Sequence, residues 1–317
     1  MKHVYRNAIV ALALGLAASL PAAAQQFINI LTGGTSGIYY PIGVALSQVY
    51  TKAIPEAKSS VQATKASVEN LNLLQAGRGE IAFTLADSLA DAWEGNEEVG
   101  FKTPLKKLRG VSGVYSNYIQ IVASADSGIK TLADLKGKRI SVGAAKSGTE
   151  LNARAILKAA GLAYKDFAKV EYLPFGESVE LIKNRQLDVT LQSAGLGVAS
   201  IRDLATSVKI VVVPIPADVV AKVGSAAYQP GIIPAGTYDG QTQDTPTAVI
   251  PNFLVTHDGV PADLVYKMTK SMYDNLDTLV AAHAAAKAIK LADALKGMPV
   301  PLHPGAERYY KEKGLIK

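Results

Sequence analysis

Short apolar runs alternate along this chain with stretches in which apolar residues recur every three or four positions. The runs Phe27–Leu31, 59–63, 81–85, 187–192 and 208–213 are short enough and bounded closely enough by polar and Gly-rich segments to predict strands. Ile42, Ala45, Leu46, Val49, Tyr50 and Ala53 fall on one face of a helix, which Pro55 stops. Residues 64–77 predict a second helix, with Thr64 and Ser67 as cap residues and Gly77 as its end. Residues 146–162 predict another, opening at Ser147 or Thr149 and closing at Gly161. Between them, residues 130–137 read as a short helix and 139–142 as a strand; 198–205 read as a further helix. Residues 214–247, rich in Pro, Gly, Ala and Thr, read as loop with one short helix near 218–223. Residues 261–296 are helical in pattern with a break near His283.

This repeated order of strand, loop and helix predicts an α/β fold with a parallel or mixed sheet flanked by helices. Two longer apolar strands, 118–123 and 248–256, read as crossings between lobes. They divide the chain into a first lobe of residues 25–121 plus 254–317 and a second of 122–253, joined by a hinge. The length of 317 residues and 49% hydrophobic content are sufficient for two such lobes.

The N-terminus changes the picture of where the protein works. Lys2 and Arg6 precede the apolar run 8–20, and small residues at Ala22 and Ala24 follow, the pattern of a secretory signal peptide over residues 1–24. The apolar stretch is short for a membrane span, and no later segment reads as one, so a periplasmic protein that is not membrane-embedded is expected. There is no cysteine, which excludes disulfides, thiolate nucleophiles, Cys-ligated metals and a lipid anchor through an N-terminal thiol. Without Lys2 and Arg6 the chain keeps 31 basic against 27 acidic residues. The basic residues are scattered, which predicts no nucleic-acid partner.

Three loops carry the candidate chemistry: GGTSG at 33–37, TKAS at 64–67 and KSGT at 146–149. Each follows a predicted strand and opens a helix. First-turn N–H groups lack intrahelical partners and sit at the positive end of the helix dipole, so three such starts meeting in one cleft would hold an anion. Thr35, Thr64, Ser67, Ser147 and Thr149 are the hydroxyls, Gly148 the close-approach position, and Lys65 and Lys146 the added charge. The two lysines predict a ligand with two carboxylates. Tyr39 is the aromatic expected to face the cleft. Asp87, at a strand end, either accepts a ligand ammonium or caps the helix that follows.

Enzymatic readings lack their residues. Only His257, His283 and His303 follow the predicted leader, and there is no GxSxG elbow, HExxH helix or GxxxxGK[ST] phosphate loop. No cofactor or metal is expected.

The order GGTSGIYYPIG, TKASVENLNLLQAGRGEIAF and DLKGKRISVGAAKSGTELNARAIL, closed by PLHPGAERYYKEKGL, resembles the TAXI-type substrate receptors of tripartite ATP-independent periplasmic (TRAP) transporters. The resemblance spans nearly the whole chain after the leader. It implies a type II periplasmic-binding-protein fold that closes like a Venus flytrap, membrane-subunit partners driven by an ion gradient, and no catalysis. It implies ligands of the dicarboxylate, oxoacid or glutamate kind. Matching positions are Thr35, Ser36, Tyr39, Ser67, Asn70, Ser147 and Thr149, with Gln192 in a segment that faces the cleft. A monomer is expected. The alternative is a periplasmic sensor domain on the same scaffold.

Overall fold

The computed structural model describes residues 25–317, so the expected leader, residues 1–24, lies outside the described residues. Twenty main elements follow in order: β1 (Gln26–Leu31), α1 (Tyr39–Ala53), β2 (Ala57–Gln62), α2 (Ser67–Gln75), β3 (Ile81–Leu85), α3 (Ala86–Glu94), β4 (Leu108–Ser124), β5 (Arg139–Ser141), α4 (Gly148–Ala159), β6 (Lys169–Glu171), α5 (Phe175–Lys183), β7 (Val189–Ala194), α6 (Ala199–Ser207), β8 (Ile210–Val213), α7 (Ala217–Lys222), β9 (Gln229–Ile233), β10 (Thr245–His257), α8 (Ala262–Asp274), α9 (Leu276–Ala282) and α10 (Pro304–Glu312).

All ten strands belong to one sheet, in the order β2-β1-β3-β10-β4-β7-β5-β6, with β8 also on β4 and β9 also on β10. β1 runs parallel to β2 and β3, and β5 runs parallel to β6 and β7. The two parallel groups are bridged by β4 and β10, which are antiparallel to each other and to every strand they touch. Both long strands change partners partway along. β4 pairs with β10 from Leu108 to Tyr118 and then with β7 from Tyr118 to Ala123. β10 pairs with β9 from Thr245 to Val249 and with β3 from Asn252 to Val255, and its register shifts against β4 between Pro251 and Phe253.

Side-chain alternation along the strands sends neighbouring residues to opposite faces. Ile30 and Leu31, Phe83 and Ala82, Leu254 and Phe253 accordingly fall into two separate apolar cores, one on each side of the sheet. Helices cover both faces, and the central parallel strand β3 is accordingly buried at every position. The helix predicted from residue 42 buries the expected positions Ile42, Leu46, Val49 and Tyr50. It lies so close to β1 that a methyl on Gly43 would fall 2.5 Å from Thr32 Cγ2. At the far end, His303 Nδ1 accepts the N–H of Gly305 at 3.1 Å and caps α10, while Tyr310 Oη donates to Val111 O at 2.7 Å and ties the C-terminal helix to β4.

Some local expectations are corrected. The strand read at 118–123 is the second half of a 17-residue strand, because Leu108–Asn117 carries serines and glycines that mask its pattern but pairs with β10 across two register shifts. The 214–247 segment contains β9 as well as its helix; Pro230 and Gly231 hide an edge strand, where a missing N–H is tolerated. β6 and α5, in a stretch without a sequence reading, are also present. Among the described residues, no helix is long and apolar enough to cross a membrane.

Candidate functional site

The parallel strands end where helices begin, and the helix starts from both strand groups meet over the middle of β4. They line a half-open cavity of ≈ 110 Å³. β1 leads through Gly33, Gly34 and Gly37 into α1; β2 leads through Thr64, Lys65 and Ala66 into α2; the segment after β5 brings Ala144 and Ser147 to α4; the segment after β6 brings Pro174 and Phe175 to α5. The floor is made by Tyr115 and Asn117 of β4 and Ser193 and Ala194 of β7.

The starts of α2 and α4 face each other at contact distance. A methyl on Gly148 would lie 2.6 Å from Ser67 Oγ and 2.6 Å from Leu85 Cδ1, so glycine is what lets these helix ends meet. Ser147 caps α4 by accepting the N–H of Glu150 at 3.1 Å, and Ser67 Oγ accepts the N–H of Leu85 at 3.2 Å. Each serine spends a lone pair inside the protein and keeps its O–H as a donor. Ala66, just before α2, has φ 70° and ψ −151°, a conformation that belongs almost wholly to glycine. Its neighbour Thr64 explains part of that: Thr64 Oγ1 accepts the Ala66 N–H at 2.9 Å and sits within 2.7 Å of Asn70 Oδ1, locking the turn.

Tyr39 lies on the cavity wall with its ring stacked on Phe83, centroids 4.9 Å apart. Its hydroxyl donates to Asn252 Oδ1, whose amide donates to Asn117 Oδ1 at 2.7 Å, and Asn117 in turn donates to Ser193 O at 2.7 Å. This chain of polar groups runs beneath the cavity from α1 through β10 and β4 to β7. Burial raises the Tyr39 hydroxyl far above the ordinary tyrosine range, so it stays protonated. Tyr115 is 4% exposed and Thr149 6% exposed, and the hydroxyls of both have no hydrogen-bond partner among the described residues. Burial pushes the Tyr115 hydroxyl well above its usual value too.

Of the residues singled out in the sequence, the cavity brings together Tyr39, Thr64, Lys65, Ser67, Ser147, Gly148 and Thr149. Six others lie outside its lining. Thr35 is exposed and Ser36 half-buried at the turn before α1. Lys146 is exposed and has φ 62°. Asn70 is buried and gives its amide to Thr32 O at 2.7 Å and Phe83 O at 2.8 Å, clamping β1 to β3. Gln192 is buried, accepts from Ser200 at 2.6 Å and leaves Nε2 unpartnered. Asp87 is buried beside the cavity and does not cap α3 by its side chain in the usual way; Oδ2 accepts from Asn152 at 2.6 Å and Tyr228 at 2.7 Å, and Oδ1 from the Ser88 N–H at 2.7 Å. Burial raises its carboxyl to about 6 against the pull of those three donors.

Sequence reasoning did not single out Tyr115, Asn117, Phe175 and Ser193. Polar Asn117 immediately before the apolar run 118–123 was the available signal; Phe175 offered none. Among the described residues, no group of three or more His, Asp or Glu is placed to hold a metal.

Two α/β lobes bridged by a pair of long antiparallel strands, with a cavity at the facing strand ends, form the periplasmic-binding-protein fold. The chain is similar in fold to PhnD1 from Prochlorococcus marinus, solved in complex with methylphosphonate (TM-score 0.58, 11% identity, covering 92% of this chain and 100% of that one). It is similar to the periplasmic binding protein BugD (TM-score 0.58, 11% identity, 92% and 94% covered). It is also similar to a putative L-cystine ABC transporter protein from Listeria monocytogenes (TM-score 0.51, 16% identity, 84% and 98% covered). The chain belongs to the NMT1-like family, whose model matches residues 30–314.

Proposed function

We propose that the protein is a periplasmic solute receptor that captures a small organic anion between its lobes and delivers it to TRAP-type membrane subunits. The observation that carries the anion is the polarity of the lining: Tyr115, Thr149, Ser67 and Ser147 offer hydroxyl protons, Lys65 a positive charge, and α2 and α4 their first-turn N–H groups, with no carboxylate among the lining residues. A cavity made of donors is satisfied by an acceptor. The fold that holds methylphosphonate in PhnD1 supports the same use here. The motif resemblance set out above supports the transporter partner, and the segment 1–24 supports the periplasm.

In this reading residues 25–121 with 254–317 form one lobe and 122–253 the other. The exchange of partners by β4 near Asn117–Tyr118 and by β10 near Val249–Asn252, a few residues from those boundaries, supports flexing in these strands. Closure then assembles the site from both sides and replaces water around the ligand with fixed donors.

A thermal-shift screen against monocarboxylates, dicarboxylates, acidic amino acids and neutral sugars tests the ligand class, because a solute that binds only the folded chain raises its midpoint. Shifts with anions alone are expected; a shift with sugars and none with anions sinks the reading. Uptake by reconstituted membrane subunits that needs an ion gradient and no ATP tests the partner.

A further inference from the structure

We infer that the ligand is a compact monocarboxylate with an aliphatic body, bound through one anionic head, and neither a dicarboxylate nor an amino acid. The inference rests on the anion-receptor reading above and narrows it.

The cavity has two unlike poles. At one, Ser67, Ser147, Gly148 and Thr149 crowd the meeting point of α2 and α4, and the unpartnered hydroxyl of Thr149 belongs to this group. At the other, Phe175 stands across from Gly37, where a methyl would lie 3.9 Å from the ring. Ile38 Cδ1 and the Tyr115 ring close over Gly195 there, at 2.8 and 3.2 Å from a methyl at that position. Ala194 completes this apolar wall.

Charge within the lining is a single lysine, Lys65. Lys146, the second half of the expected two-lysine pocket, is exposed and outside it. A second carboxylate on the ligand would therefore be driven against Ile38 and Phe175 with no counter-charge and at most the Tyr115 hydroxyl as donor, and burying an unpaired charge is costly. An α-ammonium meets the same objection, because the lining holds no carboxylate. Asp87, the acid singled out in the sequence as a possible ammonium acceptor, has both oxygens occupied by Asn152, Tyr228 and the Ser88 N–H.

Size points the same way. A dry cavity of roughly 150 Å³ accommodates benzene, so the ≈ 110 Å³ between these walls suits an acid of about four to six carbons. Ala66 contributes to that restriction: its methyl is carried into the lining on a backbone that glycine would adopt without strain, 3.3 Å from where a methyl on Gly33 would sit.

Calorimetric titration of the chain, freed of bound solute by dialysis from denaturant, with four matched compounds tests this. Isovalerate is the monoanion; methylsuccinate exchanges one methyl for a second carboxylate; L-valine adds an ammonium; isovaleramide removes the charge. Isovalerate is expected to bind at least tenfold tighter than each of the others. Methylsuccinate or L-valine binding as tightly as isovalerate overturns the single-headed site while leaving an anion receptor standing. Isovaleramide binding as tightly as isovalerate overturns the anion reading itself. No binding of isovalerate overturns the inference, and the anion screen above then decides the broader reading. As a second arm, Lys65→Met is expected to weaken isovalerate about tenfold without moving the unliganded melting midpoint, since Lys65 is exposed; unchanged affinity in that variant removes the head group from the place assigned to it.

Discussion

Two buried polar centres lie beside each other in this molecule, and they differ in what they still need. Around Asp87, a carboxylate on α3 meets Asn152 on α4 and Tyr228 ahead of β9, and all of its oxygens are answered from within the chain. Around the cavity, the residues Tyr115 and Thr149 are as deeply buried, but their hydroxyls face the cavity and take no partner from the described residues. Deep burial of polar groups is common to both. An unmet hydrogen bond alone does not mark a place built for a solute, since Asn152 Oδ1 in the Asp87 cluster also lacks a partner; what distinguishes the cavity is that its free hydroxyls line open space.

The largest effect that separates them is on stability. Asp87→Ala is expected to destabilise the fold by about 3 kcal/mol in urea unfolding, because Asn152 and Tyr228 would be left buried without their acceptor. Retained stability would mean that this cluster is not a structural tie. The pH dependence has a definite sign. The folded protein holds the Asp87 carboxyl at about 6, above the usual carboxylate range, so the folded state favours its neutral form. Its contribution is full below the unfolded value near 4 and fades as pH rises through about 6, by up to about 3 kcal/mol. Asp87→Asn is expected to flatten the change in unfolding free energy between pH 4 and 7, and a slope equal to that of the wild type would assign it to another group.

At the cavity the effects fall on binding. Gly148→Ala places a methyl 2.6 Å from Ser67 and Leu85 on the opposite side and is expected to weaken isovalerate about thirtyfold, or ~2 kcal/mol. X-ray scattering of this variant should show a radius that no longer shrinks on addition of ligand. Tyr115→Phe and Thr149→Val remove one unpartnered hydroxyl each. About a fivefold loss of affinity, or ~1 kcal/mol, is expected from each without loss of thermal stability; lowered stability with unchanged binding would place those hydroxyls in the class of Asp87. The smallest effect is a gain: Ala66→Gly relieves the positive φ and is expected to stabilise the unliganded chain by about 1 kcal/mol in urea unfolding.

The helix-opening loops were legible in the sequence because their signal is local. TKAS and KSGT each combine a preceding apolar run, small hydroxyls and the start of a three-to-four periodicity, and both loops reach the cavity. GGTSG was legible as a turn, but its hydroxyls Thr35 and Ser36 stay outside while the glycines line the wall. The floor was not legible. Tyr115, Asn117 and Ser193 meet because Tyr118 pairs with Ala194 and Ile119 with Ser193, a register set between strands far apart in the chain. Asn70 and Asp87 show the converse limit. A polar residue beside a site has the same one-letter appearance whether it faces solute or backbone, and here the carbonyls of Thr32 and Phe83 claim Asn70.

The late arrival of β10 in the chain bears on how the protein is made. β1, β2 and β3 emerge early and can associate, but the outer edge of β3 waits for Asn252–Val255, and the loop ahead of α10 docks on β4 only when Leu302 and His303 reach Gly110. Synthesis proceeds from the N-terminus, so for most of translation β3 is an apolar strand with open N–H and C=O groups. A chain cut short before Thr245 should therefore accumulate as aggregate while one ending after Gly314 does not, and a holding chaperone would find its natural binding stretch at Ile81–Leu85.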